Sequence, residues 1–521
     1  MRKRAEHLRY RLYEFAGTIS KELNKKRRKL PLKMLLERYW EEILTFNPAV
    51  IASPYTVHMF PKKRIFDIVV FDEASQIRVE KALTSIVRGR SVLVIGDEKQ
   101  MPPSFYFERR GEEEDLEEGD VSESGESLLE RTLDIRDRGL FQSVFLEWYY
   151  RGEHESLIAF SNREFYGDRL IVLPSRDDRP RCSLIYLPGA KYVPKKRVNE
   201  DEARAVVKAV VELLEDASGD ETIMVVAMNV EQQELVMHLL EKYIDEASVY
   251  EGSKESYLVE PARIVPELGS HVVKVAPKQI GEPIRDPRIA LKLQKMMDEG
   301  RLTVRNLETV QGSESDTVII SLTYGKDDDG RIDGRFFGPL NREGGERRIN
   351  VLVSRARRRV IVVSSITSRD LGGLKDRSTG LEVLRRYLEF LENGCSFKRP
   401  ESKGVPESYF ERLVISELER ELRNAGIEDI ELVPQVGAGR YRIDIGVKKR
   451  GGEYILGIEC DGATFHSHKT ARDRDYIRQK HLERLGWRIY RVWSSDWWSD
   501  RKQITKQLVD EVRKALGATY T

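Results

Sequence analysis

Three cysteines in 521 residues is a sparse supply. Cys182, Cys395 and Cys460 lie far apart and are odd in number, which excludes a disulfide framework and the paired spacing of a structural zinc site. No apolar run approaches the roughly 18 residues of a membrane helix, and Met1-Arg-Lys-Arg is not followed by the apolar core of a secretion signal. The expectation is a soluble chain in a reducing cytoplasm with no membrane contact. A single charge sign is also missing. The formal net charge is +1 although 34% of residues are charged, so the balance says nothing about partners. It conceals a basic Lys25–Lys29 and an acidic tract from Glu108 to Glu126, expected as a solvated loop.

What is present is length for about three or four domains and a repeated grammar of buried strands. Helices are expected at Ala5–Asn24 and Leu32–Leu44, then a short strand ending at Ala49–Pro54. From there β-branched runs alternate with helical spacers: FDIVVFDEA from Phe66, SVLVIGD from Ser91, TIMVVAMN from Thr222, TVIISLTYG from Thr317 and RVIVVSS from Arg359. Continuous runs of this kind are what parallel strands covered on both faces require, so the fold class is α/β with doubly wound parallel sheets. After Pro406 the pattern changes. It predicts a helix (Glu407–Asn424), three strands (Glu431–Gln435, Arg440–Lys448, Tyr454–Cys460), a helix (Thr470–Leu485), a strand (Arg488–Trp493) and a closing helix. The expected division is 1–142, 143–370, a connector at 371–405 and 406–521.

Two groups of residues carry chemistry. Asp72-Glu73 ends one apolar strand, and Gly96-Asp97-Glu98-Lys99-Gln100 ends the next. Carboxylates at strand C-termini are where a phosphate-bound magnesium finds an oxygen ligand and a water finds a base. In the last hundred residues Asp444 stands near the head of one strand. Glu459 and Asp461, two apart and therefore on one side, end its neighbour. Three carboxylates meeting at one sheet edge suit Mg²⁺ or Mn²⁺. The bland alternative is an acidic strand end in solvent.

The order FDIVVFDEASQ, GDEKQMPP, FLEWYYRGEHESLIAFSNREFYGDRL, TVRNLETVQGSESDTVIISLTYG and RRINVLVSRARRRVIVVSS resembles superfamily 1 helicases of the Upframeshift/Dna-two type. The resemblance implies two RecA-like domains, the first incomplete. It implies that Asp72 holds magnesium, Glu73 activates water and Gln100 couples hydrolysis to movement. Gln311, Gly312 and Glu314 would line the nucleotide and strand sites, and Arg151 and Arg355 would neutralise the γ-phosphate. The sequence contains no G-x-x-x-x-G-K-[ST]. ATP is therefore expected as a cofactor only if that loop comes from an upstream segment or a separate P-loop subunit.

The strings PESYFERLVISELE, VPQVGAGRYRIDI and IECDGATFHSHKTARDRDYIRQKHLERLGWRIYRVWSSDWW are similar to the PD-(D/E)xK nuclease superfamily, closest to its very-short-patch-repair branch. This implies a restriction-endonuclease-like fold with Glu411 as the first-helix acid, Asp444, Glu459 and Asp461 on the metal, and nucleic acid, with DNA favoured, as partner. Asp461 stands where the superfamily has lysine, and His466, Arg474 and Gln479 are candidate replacements. His466 either serves the leaving oxygen or packs over the sheet edge. Gln435 either orients the site or ends its strand. Arg472 and Arg478 are candidates to grip a phosphate. The leading expectation is a helicase-nuclease component acting in DNA repair or defence; the alternative is a decayed nucleic-acid platform or a structural partner of an upstream ATPase.

Overall fold

The computed structural model describes residues 2–27, 29–103, 126–136, 138–216, 220–248, 263–374, 377–395, 405–437, 441–461 and 469–517. The acidic tract, apart from its last residue, falls outside them, as does His466. The chain forms two compact units, Met1–Val144 and Phe145–Thr521.

In the first unit, helices Arg2–Asn24 and Leu32–Phe46 precede two parallel strands, β1 (Phe66–Phe71) and β2 (Gly89–Val94). Val69, Phe71, Val92 and Val94 share a small core with Leu128 and Leu129. The opposite side of the pair leaves Ile68, Val70 and Leu93 more than half exposed. The strand expected at Ala49–Pro54 does not form. Those residues are irregular and Ile51 is fully exposed, because no described strand lies alongside to pair their backbone groups.

The second unit begins with a six-stranded, wholly parallel sheet ordered β5–β3–β8–β7–β4–β6. Its strands are β3 (Cys182–Tyr186), β4 (Ile223–Ala227), β5 (Val272–Lys274), β6 (Leu302–Asn306), β7 (Ser315–Ser321) and β8 (Ala356–Ser364). Central strand β4 is buried along its whole length, as its unbroken IMVVA requires. The expected connector contains a helix, Thr379–Glu392, whose Leu381, Leu384, Leu388 and Leu391 are buried. The α/β class with parallel sheets is what the structure shows.

Beneath this layer lies a polar knot. Fully buried Glu202 accepts hydrogen bonds from Thr323 N (2.6 Å), Ser365 N (2.9 Å), Ser321 Oγ and Asn199 Nδ2 (both 3.2 Å). Burial nevertheless dominates and pushes its carboxyl up to about 7. A glutamate in the unfolded chain ionises near 4.5, so the native state holds the proton longer. The resulting stabilisation is complete below about pH 4.5 and is lost as pH rises through about 7, on the order of 3 kcal/mol. Glu202→Gln is therefore expected to flatten the fall in melting temperature between pH 5 and pH 8, read by calorimetry. An unchanged pH dependence would contradict this.

The last residues form a four-stranded sheet ordered β12–β11–β10–β9, with β9 (Ile430–Val436), β10 (Ile443–Lys449), β11 (Tyr454–Asp461) and β12 (Ile489–Trp493). Only β11 and β12 run parallel. Helices Tyr409–Asn424 and Arg501–Gly517 bury Val414, Leu418, Leu508 and Val512 with Trp497 in its core. No helix among the described residues is long and apolar enough to cross a membrane.

Candidate functional site

The C-terminal sheet assembles its site through register. Ile443 pairs with Val436 and Ile445 with Pro434, which places Asp444 opposite Gln435. Ile445 pairs with Ile458, so carrying the register one residue further sets Asp444 opposite Glu459. Residues opposite one another across a sheet share a face. Gln435, Asp444 and Glu459 thus form a row across three strands, with Asp461 two residues beyond Glu459. Ser408 caps the helix Tyr409–Asn424 by accepting from Glu411 N at 3.1 Å. That cap sets Glu411 in the first turn, where its carboxylate takes bonds from Gln435 Nε2 and Glu407 N, both at 2.9 Å. Gln435 has φ +54°, a left-handed conformation a non-glycine residue rarely adopts. Its bond to the buried Glu411 is the contact that holds its side chain at the row.

Each carboxylate has a distinct setting. Asp444 Oδ2 accepts from Cys460 N at 2.7 Å. Burial, reinforced by the charge of Glu459 and then by Glu411 and Asp461, pushes Asp444 up to about 7. Glu459, only 4% exposed, receives the Tyr441 hydroxyl at 2.6 Å and the Arg478 guanidinium at 2.8 Å. Arg478 also lies 3.7 Å from the centre of the Tyr441 ring. Although burial opposes its charge, Glu459 and Tyr441 hold Arg478 above its ordinary range. Asp461 Oδ2 accepts from Arg491 at 3.1 Å. The four carboxylates are near enough to disturb one another, yet no three acidic, histidine or cysteine side chains among the described residues are grouped so as to hold a metal. That departs from the expected convergence. Glu459 and Asp461 are each drawn to an arginine, and Asp444 is left facing like charges. The donor chemistry, oxygen only, fits a hard divalent cation, but the arrangement is not a closed cage.

Gln479 points elsewhere, donating to Glu483 at 3.0 Å within its own helix. Tyr441 and Arg491 were not singled out in the sequence. The tyrosine sits in the quoted string VPQVGAGRYRIDI, and its spacing from Glu459 gives no hint of their bond. Of the four tryptophans after residue 406, Trp487 and Trp497 are buried and Trp493 and Trp498 are more exposed.

The helicase-like residues fall into two groups. In the first unit, Asp72 follows β1, Glu73 has φ +51°, and Gln100 donates to Asp97 at 3.0 Å beyond the end of β2. In the second, Arg151 donates from Nε to Glu314 (3.1 Å) and from Nη1 to Ser354 O (3.1 Å). Arg355 is 1% exposed, and its guanidinium donates to Val351 O at 2.7 Å and Ser354 Oγ at 3.2 Å. As placed, it is buried rather than presented at a surface. Gly312 takes φ +77° in the turn before β7, next to the partly buried Gln311.

Comparison with known families bears on both halves. Residues 410–512 match the family model described as REase_MTES_1575. Residues 124–367 match an AAA domain family. The chain therefore joins a helicase-like AAA domain to a restriction-endonuclease-like domain. Among curated relatives, an uncharacterized ATP-dependent helicase of Mycoplasma pneumoniae is 26% identical over 468 residues, covering 87% of this chain and 37% of the relative. Another from Methanocaldococcus jannaschii is 25% identical over 338 residues, covering 64% and 41%. The mouse DNA replication ATP-dependent helicase/nuclease DNA2 is 25% identical over 334 residues, covering 63% and 27%. The chain spans well under half the length of these relatives.

Packing in the restriction-endonuclease-like domain is tight beside the site. A Cβ at Gly446 would lie 2.5 Å from Val436 Cγ2 and 2.7 Å from Tyr454 Cδ1. Gly446→Ala is expected to destabilise the domain by about 1–3 kcal/mol through overpacking, seen as a lowered urea midpoint. An unchanged midpoint would contradict it.

Proposed function

We propose that the chain is the nuclease-bearing part of a helicase-nuclease, cleaving DNA phosphodiesters with Mg²⁺ or Mn²⁺ at Asp444, Glu459 and Asp461. The observation that carries this is the row Gln435–Asp444–Glu459 with Glu411 behind it, in a domain similar to restriction endonucleases. A divalent cation held there supplies charge against the phosphate oxygens and lowers the pKa of a bound water. The chain's own residues do the rest. Asp444 would supply a ligand oxygen to that cation, and in its absence burial raises the proton affinity of the carboxylate. Tyr441 and Arg478 fix the Glu459 carboxylate. Glu411 holds Gln435 at the row. On this reading a cation that takes over Glu459 and Asp461 would free Arg478 and Arg491, now paired with them, to offset phosphate charge. DNA repair and foreign-DNA defence both fit such an activity, acting in the cytoplasm.

The helicase half is proposed to hydrolyse ATP with a P-loop supplied from outside these residues, by another segment or a partner subunit. The exposed Ile68, Val70 and Leu93 on the β1–β2 pair offer an apolar face for that addition. A second reading, a nucleic-acid platform without cleavage, is favoured by the arginines that already neutralise Glu459 and Asp461.

Incubation of the purified chain with supercoiled plasmid distinguishes them. Nicking with Mg²⁺ or Mn²⁺ that chelation stops supports the nuclease. Salt-sensitive binding without cleavage in any divalent metal overturns it.

A further inference from the structure

The restriction-endonuclease-like sheet shares a core with the AAA-like half. Leu173 is buried among Val436, Tyr441, Tyr454, Leu482 and Trp487, with Trp148 and Ile171 packed against the cluster. The backbones join as well. Tyr454 N donates to Arg176 O at 2.9 Å, and Arg176 Nε donates to Tyr454 O at 2.8 Å. Trp487 Nε1 donates to Pro174 O at 2.9 Å. Around these bonds Arg176 pairs with Glu453 at 3.6 Å and Lys448 pairs with Asp178. At the other end of the stretch, Tyr150 stacks on His481 with ring centres 4.6 Å apart.

The stretch is fixed equally on its own side. Buried His154 bonds Asp177 O at 2.7 Å, Ser175 N donates to Glu155 at 3.0 Å, and Arg181 N donates to Ser156 Oγ at 3.0 Å. One residue beyond Tyr150, Arg151 reaches Glu314 and Ser354 O. A loosely tethered domain would show none of this. Interfaces between independent domains are more polar, whereas here Leu173, with Trp148 and Ile171 against it, is closed into the apolar cluster of the endonuclease-like sheet.

We propose that Trp148–Arg179 of the AAA-like half positions the carboxylate site of the endonuclease-like sheet. The route is short. Tyr441 is held in the shared cluster by Leu173 and its neighbours, its hydroxyl fixes Glu459, and its ring seats Arg478. Residues of this segment are positioning residues, since none touches the carboxylates. The link to cleavage rests on the nuclease reading; the link to geometry does not.

The test uses the full chain with Arg176→Ala and Trp487→Phe combined. The first removes the bond to Tyr454 O, and the second keeps an aromatic ring while deleting the bond to Pro174 O. Amide exchange is read at Tyr454 and at Cys460, whose N–H is bonded to Asp444. Exchange at both is expected to speed up by about tenfold or more. Plasmid nicking is expected to fall roughly tenfold to a hundredfold in turnover, with DNA affinity and melting of the AAA-like half unchanged. A protease site engineered within residues 396–404 gives a second readout. After cutting, the two pieces of the parent chain should co-elute, and those of the double variant should separate. Unchanged exchange at Cys460 in the double variant, or separation of the parent's pieces with full nicking, overturns the proposal. Should the parent nick no DNA at all, the nuclease reading fails, and Cys460 exchange still decides the positioning.

Discussion

Asp444→Asn is expected to lower metal-dependent nicking at least a thousandfold while leaving DNA binding intact. Asparagine keeps the shape and retains an oxygen to accept from Cys460 N, so the sheet edge should not rearrange. What it loses is negative charge at a buried carboxylate whose neighbours Glu459, Glu411 and Asp461 are also acidic. A factor of a thousand is about 4 kcal/mol of transition-state stabilisation, the scale expected from removing a hard-cation ligand. Because buried like charges cost stability, the variant should also melt higher than the parent in the absence of divalent metal at neutral pH. Nicking at the parent rate would show that the chemistry lies elsewhere. A lower melting temperature would show that Asp444 is structural.

The second large effect is expected at Arg478. Its side chain is one quarter exposed, and that of Glu459 is 6% exposed. Arg478→Ala leaves Glu459 buried with the Tyr441 hydroxyl as its remaining described side-chain donor. Stranding one member of a buried pair costs about 3–5 kcal/mol, and the partial exposure here reduces the expectation to about 2–3 kcal/mol. Denaturant unfolding should record that loss. Arg478→Lys keeps the charge but loses the planar group lying over Tyr441, so it should recover most of the stability and only part of the nicking. Equal stability of the alanine variant and the parent would mean that water already compensates Glu459. Full activity of the lysine variant would show that stacking on Tyr441 is not needed.

The sequence was most readable where a single element carried the signal. Unbroken runs such as IMVVA and VIIS announced buried parallel strands, and the two-residue spacing of Glu459 and Asp461 put both on one side. It was least readable where several chain segments had to meet. Strands β3, β5 and β6 are short or alternate polar and apolar residues, as LTVRN does, and they are recruited by neighbours rather than by their own periodicity. The run at Ala49–Pro54 shows the converse, a strand-like sequence left without a partner. Within the site, Tyr441 and Arg491 escape a one-dimensional reading. The first lies just before β10, outside any strand, and the second belongs to β12, whose parallel register with β11 sets Trp493 beside Asp461. Arg355 illustrates the same limit for motifs. Its place in the order points to a phosphate, and nothing in that order shows that its guanidinium is buried with bonds to Val351 O and Ser354 Oγ. The contact of Leu173 with Trp487 depends on residues more than three hundred positions apart, and neither carries a local mark of it.

The acidic edge of β10 and β11 is proposed as a cation site, although among the described residues no three of its groups are gathered around one point. Calorimetric titration of the chain with Mn²⁺, in the parent and in Asp444→Asn, tests it most directly. Saturable binding is expected in the parent, weakened at least tenfold in the variant, and it should strengthen the parent against thermal unfolding. A parent that binds no Mn²⁺, or a variant that binds it as tightly as the parent, would contradict it.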